Sequence, residues 1–417
     1  MRRTLSVLVI AVLITFSGEV SAQKIIADTL TIETAIEKAI ENNPEIQEKL
    51  KIIDALKAGV IQSGLLPNPE FSIEAENILG SNEFTGFKGS EITASVNQEV
   101  ALTSRISKRK KVAELNVGLA EADLKIKRLE VISEIRKNFT DALALSELIE
   151  KNRELLNVSE EFVKNLELRV KAGKISPAEV SRARLILNSI EITISELETE
   201  YNTVLFNLIS IINDPGLSAN VILKGELDSA INFPSPDSVI AGLENNLLLQ
   251  KLKEEQKKQS AIVEYEETKS IPPLNLGIGI RRINELSANT FLIQTSIPIP
   301  VFDRNQGAIQ QSKIEVEQKR IEYEALKNIL KQKLNMQLSK LKILLETVRK
   351  IKDESLPVAR KAYEVIKKGN EVGRFTILDV LDAQRTLIEL QNQYLNMNRQ
   401  INKTVITIES FINRKIK

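Results

Sequence analysis

The chain has 417 residues, of which 57 are lysine or arginine and 56 are aspartate or glutamate, with no cysteine, no histidine and only 4% aromatic residues. This near-neutral, interspersed charge excludes a nucleic-acid binder, which needs a clustered basic face. Without histidine and cysteine, the commonest general base and the thiol nucleophile are missing, and no catalytic site, cofactor site or metal site emerges.

Residues 1–22 read as a secretory leader. Arg2 and Arg3 form a basic start, Leu5 to Phe16 an apolar stretch, and Val20-Ser21-Ala22 a small-residue cleavage site, so the mature chain is expected to begin at Gln23. No cysteine follows that site, so no acylated anchor is expected.

Two short helices are predicted next, Thr31 to Asn43 and Pro44 to Gly64, separated by the Asn43-Pro44 break. The apolar period then changes to two. Phe71, Ile73 and Ala75 alternate with Glu70, Ser72, Glu74 and Glu76, and after a polar loop Ile92, Ala94 and Val96 alternate with Glu91, Thr93, Ser95 and Asn97. This predicts a hairpin with strands at about residues 69–79 and 90–100, apolar on one face and polar on the other. Each strand is long enough to cross a bilayer at a tilt.

A helix from Ser104 to Lys171 follows, with Ile149, Leu156, Val163 and Val170 seven apart. At 1.5 Å per residue such a helix is about 100 Å long. Its Lys108-Arg109-Lys110-Lys111 run is read as a solvated helix face, or a contact with lipid or partner phosphate groups. A turn at about residues 172–177 leads to a returning helix with Val180, Leu187, Ile194, Tyr201 and Leu208 on one stripe. Residues 213–238 form a connecting belt, with a small strand at Val221 to Leu223.

The second half repeats the plan. Strands are predicted at about residues 273–283 and 289–299, with Leu274, Leu276, Ile278, Ile280, Phe291 and Ile293 on one face. A helix from Asn305 to Gly369 is expected to kink or restart at Pro357, with Ser355 as a cap. A turn at about residues 369–376 precedes Val380, Leu387, Tyr394, Ile401 and Ile408, each 200 positions after its counterpart. The chain is thus a duplication, with repeats at 23–212 and 239–417. The fold class is mainly α with a transmembrane β-barrel portion. Four strands cannot close a membrane barrel, because open edges in lipid leave backbone groups unpaired at several kcal/mol each. Sister chains must complete it, three of them giving twelve strands.

Three segments carry a resemblance to a known family. They are Gly64-Leu65-Leu66-Pro67-Asn68-Pro69-Glu70, Ile297-Pro298-Ile299-Pro300-Val301-Phe302-Asp303-Arg304-Asn305-Gln306-Gly307, and Gly373-Arg374-Phe375-Thr376-Ile377-Leu378-Asp379-Val380-Leu381-Asp382-Ala383-Gln384. With the duplicated hairpins they resemble the TolC-type outer-membrane efflux proteins, most of all the outer-membrane components of cobalt–zinc–cadmium and copper–silver RND pumps. The resemblance implies a homotrimer with a twelve-stranded barrel in the outer membrane and a helical tunnel across the periplasm. It also implies a periplasmic adaptor and an inner-membrane RND pump as partners.

Candidate residues follow from the two readings together. Gly173, Lys174, Ile175 and Ser176, with Gly373, Arg374, Phe375 and Thr376, form the two helix-to-helix turns, and the resemblance makes them the adaptor-docking tip. Asp379 and Asp382 share a helix face, and in a trimer give six carboxylates around the axis, a candidate pore gate. Glu70, Glu74, Glu76, Glu91 and Glu99 are candidates for the barrel lumen. The expected function is a passive conduit for heavy-metal cations. A drug-efflux or type I secretion channel is the nearest alternative, and a soluble periplasmic coiled-coil scaffold belongs to another class.

Overall fold

The computed structural model describes residues 29–217, 221–225 and 235–415. The leader and parts of the connecting belt (218–220 and 226–234) lie outside the described residues. A two-residue strand β1 (Thr29–Leu30) precedes helices α1 (Ile32–Asn42) and α2 (Pro44–Ser63). Strands β2 (Glu70–Glu76) and β3 (Glu91–Val100) lead into the 67-residue helix α3 (Arg105–Lys171) and then α4 (Pro177–Ile212). After β4 (Ile222–Leu223) and α5 (Pro236–Ala241) come α6 (Leu247–Lys269), β5 (Leu274–Ile283) and β6 (Ala288–Ser296). Helix α7 (Gln306–Lys350) passes through a π-helical turn into α8 (Leu356–Glu371), and α9 (Ile377–Ile412) ends the chain.

Pro357 explains the π turn. Proline has no N–H to donate and its ring crowds the carbonyl four residues earlier, so the wider turn at Ile351–Ser355 absorbs the misfit without ending the helix. Ser355 is helical (φ −74°, ψ −46°) and makes no side-chain cap bond, which corrects the capping role expected of it.

The two halves repeat one another in detail. Helices α4 and α9 are both 36 residues long, and both end on a left-handed asparagine, Asn213 (φ 52°) and Asn413 (φ 48°). Buried Asn43 caps α2 by accepting from the amides of Glu45 and Ile46, while its Nδ2 donates to the Ile211 carbonyl. Asn246 does the same for α6, accepting from Leu248 and Leu249 and donating to the Phe411 carbonyl. One amide thus satisfies orphan groups at the start of one helix and the end of another.

Two apolar cores sit at this level. One gathers Ala39, Ile46, Ile135, Phe139, Leu208 and Ile212, the other Leu243, Leu249, Leu334, Leu341, Ile408 and Ile412. β1 pairs in parallel with β4 and so ties the connecting segment against the first core. Away from the cores the helices pack as coiled coils. Ala142, Leu145, Ile149, Asn152, Leu156, Ser159, Val163 and Leu166 of α3 advance by alternating steps of three and four.

The four long strands form one antiparallel sheet in the order β2-β3-β5-β6. β2 ends at Glu76, earlier than expected, because Asn77 (φ 54°) and Leu79 (φ 58°) turn the chain into the loop. β6 stops at Ser296, before Pro298 and Pro300. Cross-strand register aligns Phe71, Val96, Ile278 and Ile293 in one row, and Ile73, Ala94, Ile280 and Phe291 in the next. This face is open: Phe291 is 90% and Ile293 83% exposed. The other face is polar. β2 and β6 are the sheet's two edges, and among the described residues neither has a strand beyond it.

Candidate functional site

The candidate residues fall at opposite ends of the molecule. Both tips close with the same geometry. At the first, the Lys174 amide donates to the Arg169 carbonyl and the Gly173 amide to that of Val170, both at 2.9 Å. At the second, the Arg374 amide donates to Gly369 and the Gly373 amide to Asn370. This pair of bonds needs a left-handed residue after the helix, and Gly173 (φ 69°) and Gly373 (φ 77°) supply it. Ser176 then caps α4 by accepting from the Ala178 amide, and Pro177 stands in the first turn, where its missing N–H costs little.

The second tip carries more structure. Thr376 and Asp379 form a reciprocal capping box: Asp379 accepts from the Thr376 amide and hydroxyl at 2.7 Å, and the Asp379 amide donates back to Thr376 Oγ1. The Thr376 side chain and amide hold the Asp379 carboxyl below its ordinary value. Glu179, at the equivalent place in the first tip, lies beside Arg182 at 3.7 Å and forms no such box with Ser176. Phe375 folds back over Gly369, where any β-carbon would overlap its ring. Asn370 is buried, donating to the Phe375 carbonyl and accepting from Arg169.

Asp379 and Asp382 are both exposed on the first turns of α9. Their situations differ. Asp379 is engaged by its own cap, whereas Asp382 lies 3.3 Å from the exposed fork of Arg385.

Several polar pairs cross the seam between α3 and α9, among them Arg136 with Glu409. Gln384 donates to Ser159 at 2.8 Å, Asn152 and Asn392 exchange amide bonds, and Arg399 forks onto Asp141. Asp141 also pairs with Lys403, and Arg399 with Glu200. Burial alone would lower the Arg399 pKa, but its bonds to Asp141 and Glu200 outweigh that and raise it. Buried polar pairs in a coiled-coil seam fix its register.

The five candidate glutamates all lie on the polar face of the sheet. Glu70 stands opposite Asn97, Glu74 opposite Thr93, Glu76 opposite Glu91, and Glu99 opposite Asn275. They share that face with a basic residue. Arg281 of β5 lies between two of them, donating to Glu91 at 2.9 Å and lying 3.4 Å from Glu76. Sequence reasoning missed it, although its place opposite the Leu276–Ile278–Ile280 stripe was legible in the alternation.

The basic run at 108–111 is only partly a solvated face. Arg109 donates to the carbonyls of Ser63 and Leu65, and Lys108 pairs with Glu264, so the run locks the helices beneath the sheet. Among the described residues no helix is long and apolar enough to cross a membrane, and no cluster of three metal-ligating side chains occurs.

A four-stranded amphipathic sheet with an open apolar face, carried on helices about 100 Å long, defines a membrane-embedded β-sheet protein with a helical stalk. The outer membrane efflux protein family matches residues 35–214 and 241–414, and the chain belongs to that family. It is an outer-membrane protein whose helices extend into the periplasm. It is 28% identical over 388 residues to the cobalt-zinc-cadmium resistance protein CzcC of Cupriavidus metallidurans, covering 93% of this chain and 91% of that one. It is 21% identical over 303 residues to the nickel-cobalt-cadmium resistance protein NccC of Alcaligenes xylosoxydans, covering 72% and 67%. Crystal structures of CusC share the fold, with a TM-score of 0.77, 15% identity and 91% of each chain covered.

Proposed function

We propose that this protein is the outer-membrane channel of a tripartite RND efflux system, a passive homotrimeric conduit that exports heavy-metal cations. The observation that carries this reading is the sheet itself. It has one apolar and one polar face and two open edges, so it is complete in lipid only when copies of the chain join edge to edge.

The helices support the same assembly. Leu185, Ile192 and Phe206 of α4 lie on one seven-residue period and are exposed, as are Val358, Val365 and Val372 at the far end of the chain. These stripes stand open among the described residues, and a ring of copies would cover them. The polar face of the sheet then lines the lumen, with Glu70, Glu74, Glu76, Glu91 and Glu99 on its wall. Asp382, with Asp379 beside it, rings the narrow far end. The turns at Gly173–Ser176 and Gly373–Thr376 meet the periplasmic adaptor, and through it the inner-membrane pump.

The metal assignment rests on the resistance functions of CzcC and NccC. Deleting the gene and challenging cells with zinc, cobalt, cadmium, copper and a drug panel tests it. Sensitivity to the metals, restored by the intact gene, is expected. Sensitivity to drugs alone would overturn the metal assignment and keep the channel.

A further inference from the structure

The charge on the polar face of the sheet is unevenly placed. Five carboxylates stand on β2 and β3. The alternating positions of β5 and β6 on that face are Asn275, Gly277, Gly279, Arg281 and Ile283, and Ala288, Thr290, Leu292, Gln294 and Ser296. Arg281 is therefore the one charged side chain those two strands contribute there. Its neighbours toward the helices are glycines. A β-carbon on Gly277 would overlap Asn97, and one on Gly279 would press on Ser95 and the Ala94 carbonyl. The face is bare along β5 until it reaches Arg281, two residues from the end of the strand beside the 284–287 loop.

Arg281 is held in place from three directions. Nε donates to Thr93 Oγ1 at 3.0 Å, Nη1 to Glu91 at 2.9 Å, and Nη2 lies 3.4 Å from Glu76. A planar guanidinium held by such a fork keeps its orientation and stays charged. Its side chain is only 30% exposed.

We propose that Arg281 is a selectivity-determining residue of the channel, forming with Glu76 and Glu91 a partly neutralised charged ring at the outer mouth. The inference rests on the channel reading above. With Glu74, which stands in the same cross-strand row as Arg281, the mouth of a trimer holds nine carboxylates and three guanidinium groups, so a third of its acidic charge is offset. The acidic rows below it, at Glu70 and Glu99, have no such partner on β5. Arg281 offsets acidic charge at the mouth and at no other level of the wall, which favours release of a cation there over retention.

The test is the reversal potential of the purified trimer in planar bilayers under a KCl gradient. It is measured on the wild type and in an Asp379→Ala, Asp382→Ala background, so that carboxylates at the other end do not mask the mouth. Arg281→Gln should raise the potassium-to-chloride permeability ratio by roughly threefold, through the acidic charge it unmasks at the mouth. Arg281→Lys keeps the charge and should restore the wild-type ratio. Glu76→Gln with Glu91→Gln should shift the ratio the other way, and this variant also serves if Arg281→Gln fails to assemble. Conducting channels with an unchanged ratio in these variants would overturn the role of Arg281 and leave the channel standing. A wild-type protein that never conducts would overturn the channel reading, and this inference with it.

Discussion

Arg169 Nη1 donates to Asn370 Oδ1 at 3.0 Å, so the last turn of the first long hairpin is bonded to the last turn of the second. The two residues are 201 positions apart and stand at almost equivalent places in the duplicated plan. Asn370 holds the rest of its tip through the Phe375 carbonyl. A bond to a charged donor contributes about 1.5–3 kcal/mol. Asn370→Ala should therefore loosen the tip, and trypsin should cut at Lys171, Lys174 and Arg374 several-fold faster than in the wild type, with no change in the sheet. Unaltered cleavage would show that the link is idle.

Gly369 exists because Phe375 needs the space above it. Gly369→Ala should displace the ring and raise tip proteolysis in the same assay, and adding Phe375→Ala should reverse much of the effect. Gly373→Ala should cost about 1–2 kcal/mol through its left-handed backbone, with no rescue from Phe375→Ala. Identical behaviour of the two glycine variants would contradict this division of roles.

The two aspartates at the start of α9 should separate by experiment. Asp379 is occupied by Thr376, and Asp382 faces only the exposed Arg385. Asp382→Asn should weaken block of single-channel current by divalent cations more than Asp379→Asn does. The folded pKa of Asp379 is depressed, so its cap is fully present above the ordinary carboxylate range and is lost as pH falls through the folded value. Hydrogen exchange at the Thr376 amide, corrected for intrinsic rate, should stay constant from neutral pH down to the carboxylate range and rise only below it. A rise near pH 6 would contradict the assignment.

The Asp141–Arg399 pair is buried between α3 and α9. Removing one partner of such a pair strands the other charge and costs roughly 3–5 kcal/mol. Asp141→Ala should lower thermal stability sharply, and Asp141→Ala with Arg399→Leu should recover part of the loss. A single variant as stable as the wild type would show the pair to be dispensable.

The free stripe on α4 should matter only for assembly. Ile192→Lys places a charge where no neighbour within the chain is disturbed. The variant should retain its helical signal and lose trimers in native electrophoresis. Intact trimers would remove α4 from the proposed contact.

The long helices were legible because a seven-residue apolar period has one physical meaning, and the strands because a two-residue alternation has another. The sheet order was not, since pairing β3 with β5 joins residues about 190 positions apart. For the same reason Arg281 was overlooked: its partners Glu91 and Thr93 come from β3. The Asp141–Arg399 bond spans 258 positions and has no local signature. The twin caps Asn43 and Asn246 did leave one, in Glu41-Asn42-Asn43 and Glu244-Asn245-Asn246. Pro357 announced an irregularity, but not that the helix would widen into a π turn instead of breaking.

The central claim is that this sheet is sealed only by copies of itself. Light scattering of the detergent-purified protein, with the detergent mass subtracted, measures the number of chains per particle. Three chains in a particle that inserts into planar bilayers and conducts is the predicted result. A single chain, soluble and monodisperse without any amphiphile, would contradict the account.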